Sequence, residues 1–264
     1  MLMADQSVKD GFYIRKRSYE WQRRYRLSSP PGVSLPPRRD GFSLIELLVV
    51  LSVPVMMTGL LLPAMSQLRE SAHKIVCASN ERQMGQAIFM YAHGNKDALP
   101  KSTALTGKNN IPQELMRTYI GETRRWDGLG VLYEFRYCGA IGCFYCPSHL
   151  GNHTFERYYN DWLDPTVNDI YANYHYSGDR DWKSNILRNL YSDSDQALVT
   201  DGLRTTSDIN HGTGMNILYA DGSVRWLEGV EDIIEILPDG QISAREQTRK
   251  YIGLWDLVET RRRR

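Results

Sequence analysis

The sequence lacks internal repeats and low-complexity segments, and it has no Gly-x-Ser-x-Gly turn that would present a nucleophilic serine. Without such a nucleophile we expect no enzyme. With 42% hydrophobic and 11% aromatic residues, the chain has enough apolar side chains to form a globular domain rather than to stay disordered.

Charge is almost missing between Asp40 and Met65. About 24 consecutive residues there, 42–65, contain one ionisable side chain, that of Glu46. As a helix with a rise of about 1.5 Å per residue, this run measures roughly 36 Å, more than the ~30 Å of hydrocarbon in a bilayer. A carboxylate in such a segment costs about 2.5–3.5 kcal/mol. We therefore expect 42–65 to be a transmembrane segment in which Glu46 has a function.

The charges on either side of this run predict its orientation. Residues 1–41 carry nine Lys and Arg against four Asp and Glu, a net of +5, whereas the rest carries 23 against 27, a net of −4. Basic flanks stay cytoplasmic, so we expect a cytoplasmic leader and an exported C-terminal part. Two arginine pairs lie in the leader, but no supporting fold accompanies them, and we expect no nucleic-acid partner.

The residues from Gly41 to Val50 read Gly-Phe-Ser-Leu-Ile-Glu-Leu-Leu-Val-Val. This run resembles the processing motif of type IV prepilins and type II secretion pseudopilins. The resemblance implies that a prepilin peptidase cuts between Gly41 and Phe42 and methylates Phe42, and that Glu46 becomes the fifth mature residue. A secretory signal has a shorter apolar core with its cleavage site behind it, and a plain anchor leaves the motif unexplained.

The same resemblance implies a structural subunit of a type II secretion or type IV pilus-like fibre. Its partners are then the prepilin peptidase, other pilin-like subunits and the lipid of the inner membrane. The protein crosses that membrane once, and its C-terminal domain lies in the periplasm or, after assembly, on the cell surface. In the fibre, Glu46 pairs with the amino group of Phe42, its own or a neighbour's. The alternative is a tethered binding module for polysaccharide, which exposed, clustered tryptophans would favour: Trp126, Trp162, Trp182 and Trp226.

A second pattern lies near the C-terminus, where His211 is followed by nine residues and then by Asp221-Gly222. It resembles the processing-associated H-X9-DG domain that accompanies prepilin motifs in planctomycetes and verrucomicrobia. For His211 we favour a structural role, with the ring bonded across the base of a hairpin. Catalysis and metal binding remain alternatives, the latter as a calcium site near Asp201 and Asp221, although histidine is a poor calcium ligand.

Four cysteines in an exported domain predict two disulfides, for which three connectivities exist. Because Cys77 and Cys146 lie in stretches similar to that family, the resemblance favours a Cys77–Cys146 bridge, with Cys138–Cys143 closing a local loop. A zinc site remains as an alternative, since Cys138, Cys143, Cys146 and His149 have a suitable spacing.

We predict an α+β fold in which a long N-terminal helix packs on a small antiparallel sheet domain, as in pilins. The organisation is a removed leader at 1–41, a transmembrane half-helix at 42–65, a periplasmic half-helix at 66–93 and a globular domain at 94–264. Two apolar stripes of the periplasmic half-helix should face the domain. They are Leu68, Ala72, Ile75 and Val76, and then Met84, Ala87, Ile88 and Tyr91.

Within the domain, the Asp221-Gly222 pair predicts a hairpin at 211–227 with a type I′ turn. Its strands are Met215–Ala220 and Ser223–Leu227, and further strands are expected at Tyr171–Tyr176 and Gln196–Thr200. Short helices are expected at Ile111–Ile120 and Gly128–Tyr137, and a final one at Ala244–Thr260.

Overall fold

The structure, a computed structural model, describes residues 41–106, 111–237 and 243–262. Nearly all of the predicted leader lies outside the described residues. Five side chains are also not described, those of Leu60, Pro63, Ala64, Ala244 and Arg262. The chain divides into two units, Met1–Met56 and Met57–Arg264. Among the described residues, no helix combines the length and the apolar character needed to cross a membrane.

The described part of the first unit is the start of helix α1, which runs from Leu44 to Gly94. A capping box begins it: the Ser43 N–H donates to Glu46 Oε2 at 2.8 Å, and the Glu46 N–H donates to Ser43 Oγ at 3.2 Å. The large apolar side chains from Phe42 to Met56 are 48–84% exposed. This half of the helix therefore presents an uncovered apolar surface.

In the second unit, α1 continues to Gly94, the predicted end, and is buried on one side. Met84, Ala87 and Ile88 lie in the core, as their spacing predicts. The prediction for the stripe from Leu68 to Val76 is wrong, because its large apolar side chains are exposed. The domain contacts this part of α1 on the face that carries Glu70 and Cys77 instead.

The described residues form two antiparallel sheets. The first has the order β2-β1-β3, with strands β1 (Arg117–Ile120), β2 (Arg125–Trp126) and β3 (Ile170–Tyr171). The second has the order β4-β5-β6-β7, with strands β4 (Tyr174–Tyr176), β5 (Ala197–Asp201), β6 (Gly214–Tyr219) and β7 (Val224–Glu228). The expected single strand at Tyr171–Tyr176 is thus two strands, one in each sheet.

Four further α-helices connect and cover these sheets: α2 (Gly130–Glu134), α3 (Phe155–Leu163), α4 (Glu231–Ile236) and α5 (Ala244–Arg262). The C-terminal helix is confirmed. The helix expected at Ile111–Ile120 is wrong, because a 3-10 turn at Pro112–Met116 leads into β1. Strand β1 holds Thr and Tyr between two partner strands, and such pairing overrides local helix propensity. The fold class is α+β.

The four-stranded sheet is covered on both faces, and all residues of β5 and β6 are buried. One face, here the α5 face, packs Met215, Ile217 and Tyr219 against helix α5. The opposite α1 face packs Leu218 against the buried side of α1. Since successive side chains of a strand point to opposite faces, one strand thereby supplies both cores.

The hairpin predicted between β6 and β7 is present, but its turn differs. The Gly222 N–H donates to the Tyr219 carbonyl and the Tyr219 N–H donates to the Ser223 carbonyl, both at 2.9 Å. Gly222 has a φ of +81°, whereas Asp221 is outside the left-handed region. A type I′ turn needs both residues there, so the connection is instead a three-residue loop with a left-handed glycine.

Candidate functional site

His211, the histidine of the C-terminal pattern, is buried between helix α1 and the segment that contains Cys146. Its Nδ1 lies 2.5 Å from Oε1 of Glu70 on α1, and its Nε2 lies 3.6 Å from Sγ of Cys146. The ring therefore bonds to α1 and approaches a cysteine rather than bonding across the base of the hairpin, against which it only packs, with its centroid 5.6 Å from that of Trp226 in β7. It joins parts of the chain that are 141 residues apart.

Glu70 connects this histidine to a second segment. Its Oε2 accepts a bond from the Ser148 hydroxyl at 2.8 Å. Burial acts to raise the pKa of Glu70, but the bonds from His211 and Ser148 outweigh it, so the pKa lies below its usual value. The ionised carboxylate is thus the favoured form beside the imidazole.

The cysteines pair in the structure as Cys77–Cys146 and Cys138–Cys143, the connectivity that the resemblance favours. The first bridge ties α1 to the segment before α3. Its Cys146 is also fixed through the backbone, since the N–H donates to Asn173 Oδ1 at 3.1 Å. The bridge and the His211–Glu70 contact together attach one face of α1 to the domain.

Asp201 lies at the end of β5 and is fully buried. Its Oδ2 accepts the backbone N–H of Asn216 at 2.7 Å, and its Oδ1 accepts from the Asn210 side chain at 3.1 Å. Burial raises the pKa of Asp201, although the neighbouring His211 and these two bonds oppose the effect. The carboxylate is therefore held in one orientation by groups of the hairpin strand and of the loop before it.

The ligand atoms of Cys77, Cys146, Asp201 and His211 all lie within 4.8 Å of one another, and all four residues are buried. Beside them on α1, Glu81 is also fully buried, and neither of its carboxylate oxygens has a hydrogen-bond partner among the described residues. Burial, reinforced by the charge of Asp201, raises the pKa of Glu81 well above its usual value. The protonated form of Glu81 is favoured here.

Sequence reasoning missed both glutamates of this site. A signal for them exists, because Glu70, Lys74, Cys77 and Glu81 recur at helical spacing on one face of α1. The apolar stripe from Leu68 to Val76 next to it led to the wrong choice of face. A polar stripe on a helix that is otherwise poor in charge indicates a buried polar site as readily as a solvated surface.

The two metal sites considered from the sequence are not assembled. Of the zinc set, Cys138 and Cys143 are bridged to each other, and His149 Nδ1 lies 2.9 Å from Asn210 Oδ1. For calcium, Asp221 accepts bonds from the backbone and hydroxyl of Ser223 within the hairpin turn. Asp201 bonds to Asn216 near the start of β6, whereas Asp221 follows the end of that strand.

The tryptophans considered for polysaccharide binding do not form an exposed cluster, since each of the four is buried or half-buried. Trp126 and Trp162 pack on each other with ring centroids 5.0 Å apart. Trp182 stacks on Tyr251 of α5 at 6.1 Å, and Lys74 Nζ lies 4.2 Å from the ring of Trp226. These rings therefore contribute to packing.

A carboxylate, an imidazole and a sulfur lie next to one another in an array formed by Glu70, His211 and Cys146. The sulfur, however, is held in a disulfide, and the ring is buried. In this state the array connects α1 to the domain and exposes no nucleophile. Comparison with known proteins found no matching family model, no matching curated protein and no matching solved structure.

Proposed function

We propose that the chain is a pseudopilin-like structural subunit. A prepilin peptidase cleaves it between Gly41 and Phe42, the apolar half of α1 holds it once in the inner membrane, and the mature form joins a type II secretion or type IV pilus-like fibre. The observation that carries this proposal is the combination of the Gly41–Val50 motif with a helix that is apolar and uncovered at its start.

The exposed side chains support the anchoring step. Leaving apolar surface in water costs about 25 cal/mol per Å², and soluble monomers rarely expose long contiguous apolar surfaces. The uncovered residues from Phe42 to Met56 therefore need a covering of lipid or of neighbouring helices. In the sequence, this apolar run continues to Met65. Some side chains in its last part are not among those that the structure describes.

Glu46 supports the assembly step. In the uncleaved chain its carboxylate bonds to the Ser43 N–H as half of a capping box. Cleavage after Gly41 creates an ammonium group on Phe42, within one helical turn of that carboxylate. In hydrocarbon, an ion pair between Glu46 and a Phe42 ammonium offsets part of the cost of burying each charge alone. Such a pair fixes the register of neighbouring subunits.

Processing is tested by mass spectrometry of the mature chain from cells that contain an active prepilin peptidase. We expect an N-terminal methylated Phe42. Gly41→Leu, which blocks a cut that needs a small residue, should leave the chain intact. Recovery of uncleaved wild-type chain from such cells would refute the proposal.

The role of Glu46 is tested with two matched variants. Glu46→Gln keeps a side chain that can complete a capping box but removes its charge, whereas Ser43→Ala removes the cap and keeps the charge. We expect both chains to be cleaved, Glu46→Gln to be lost from isolated fibres, and Ser43→Ala to be incorporated. The opposite pattern would assign Glu46 to helix capping alone and exclude the pairing with Phe42.

A further inference from the structure

We propose that the chain, before its cysteines are oxidised, binds one Zn²⁺ through Cys77, Cys146, Asp201 and His211. The two cysteines that later form the disulfide between α1 and the domain then first serve as metal ligands. This site shares only Cys146 with the zinc set suggested by cysteine spacing, and it does not depend on the proposed function.

The geometry of the four residues suits zinc. Structural zinc sites take four Cys, His or Asp ligands in a tetrahedron, with bonds of about 2.0–2.3 Å, so ligand atoms lie roughly 3.3–3.8 Å apart. The four ligand atoms here lie within 4.8 Å of one another, and His211 Nε2 is 3.6 Å from Cys146 Sγ. Two sulfurs released from their bond need small shifts to complete such a site.

The surrounding residues orient the ligands as in known metal sites. Metal-binding histidines commonly donate their other ring N–H to a carboxylate, which fixes the tautomer. Glu70 Oε1 accepts from Nδ1 of His211, so Nε2 keeps its lone pair and faces the sulfur. Asp201 is held by Asn210 and by the Asn216 N–H, and each of its oxygens has a second lone pair.

The chemistry balances without a reductant, because every chain is synthesised with free thiols. Binding Zn²⁺ displaces the two thiol protons of Cys77 and Cys146. Later exchange with an external protein disulfide forms the Cys77–Cys146 bond and reduces that disulfide to two thiols. The exchange takes up two protons and releases Zn²⁺. The metal thus holds α1 against the domain until the covalent bridge replaces it.

The test uses the full chain, purified in detergent without oxygen and with all four thiols free. Zn²⁺ is added and the bound metal is measured by elemental analysis, and Co²⁺ is added in parallel as a spectroscopic probe. We expect one metal ion per chain, thiolate-to-cobalt charge transfer and the intense visible bands of tetrahedral Co²⁺. Oxidation of the same sample should release the metal.

Alkylation of the wild-type chain with all four thiols free locates the site without any variant. Zn²⁺ should slow the reaction of Cys77 and Cys146 with a thiol reagent and leave the reaction rates of Cys138 and Cys143, which are also buried, unchanged. The double variant Cys138→Ser/Cys143→Ser should bind the metal as the wild type does. Glu70→Gln changes the partner of His211 and of the Ser148 hydroxyl but none of the four ligands. It should weaken affinity by about 10- to 100-fold while the far-ultraviolet circular dichroism is unchanged.

Two results would overturn the proposal. The first is that the folded chain with all four thiols free does not bind one equivalent of Zn²⁺ or Co²⁺. The second is metal binding that protects Cys138 and Cys143, or that is lost in their double serine variant.

Discussion

The two faces of the four-stranded sheet each bury a histidine, and the two rings differ in their hydrogen-bond partners. On the α1 face, both ring nitrogens of His211 have partners, Glu70 and Cys146. On the α5 face, neither ring nitrogen of His175 has a hydrogen-bond partner among the described residues. His175 instead stacks on Tyr251 with ring centroids 5.2 Å apart.

This difference separates two ways to stabilise a helix on a sheet. A buried polar group needs either hydrogen-bond partners or an uncharged form. The α1 face supplies partners and a covalent bridge, so its contacts are directional. The α5 face supplies apolar and aromatic packing, and burial lowers the pKa of His175 to about 3, which keeps the ring neutral.

The largest effect is expected from the bridge on the α1 face. Loop-closure entropy assigns about 4 kcal/mol to a disulfide across a separation of 69 residues, and about 2 kcal/mol to one across 5. With a chelator present, Cys77→Ser/Cys146→Ser should therefore lower the free energy of unfolding by about twice as much as Cys138→Ser/Cys143→Ser. Urea unfolding measures both. Equal losses in the free energy of unfolding would show that the bridge on the α1 face stabilises the chain no more than the short bridge does.

Apolar packing should be equally strong on the two faces. Ile88→Ala on the α1 face and Leu254→Ala on the α5 face each remove a buried side chain and should cost about 2–5 kcal/mol. Leu48→Ala, at an exposed position of the first unit, should change the free energy of unfolding by less than about 0.5 kcal/mol. Denaturant unfolding of the three variants tests this. A small loss in the free energy of unfolding for only one of the two buried variants would show that the two cores do not contribute equally to stability.

The neutral histidine of the α5 face predicts a pH dependence. The pKa of His175 is about 3 in the folded chain and about 6.5 when unfolded, so the unfolded chain binds the extra proton between these values. The stability contributed by this group is complete above about pH 6.5 and decreases as the pH is lowered, by about 2.7 kcal/mol at about pH 4.5. His175→Phe keeps a ring for stacking and should remove this part of the slope. An unchanged slope in thermal unfolding at several pH values would contradict the assignment.

Among the changes to the two faces, the smallest effect is expected at the hairpin turn, which meets α1. Gly222 has a φ of +81°, and a Cβ there would lie 3.2 Å from the Phe89 ring of α1. Gly222→Ala should therefore cost about 1–2 kcal/mol in the free energy of unfolding. Gly212→Ala is the matched control, since a Cβ there would meet no atom within 4 Å. Similar losses for the two variants would exclude backbone strain as the cause.

Local signals in the sequence predicted the elements that depend on neighbouring residues. The end of α1 at Gly94, the hairpin and helix α5 follow from spacing and turn residues that lie within a few positions of one another. The cysteine pairing came from the family resemblance. The face of α1 between residues 68 and 76 was predicted wrongly, because periodicity shows that a stripe exists but not which stripe the domain covers.

The candidate site was only partly accessible from the sequence. His211, Asp201 and the cysteines stand out by residue type, but their meeting depends on long-range contacts. Glu70 and His211 are 141 residues apart, and no local pattern joins them. The sequence analysis predicted strands β3 and β4 as one strand for the same reason. The chain passes from one sheet to the other at Asn173, whose side chain bonds to segments that are distant in the sequence.

The reciprocal bonds between Ser43 and Glu46 have a consequence for timing under the proposed function. While the leader is attached, Glu46 is occupied within its own chain, and the peptide bond between Gly41 and Phe42 leaves no ammonium group on Phe42 to compete for it. A precursor is then inert toward a growing polymer and does not block its end. Peptidase activity, rather than the amount of protein made, would set when subunits become competent to join.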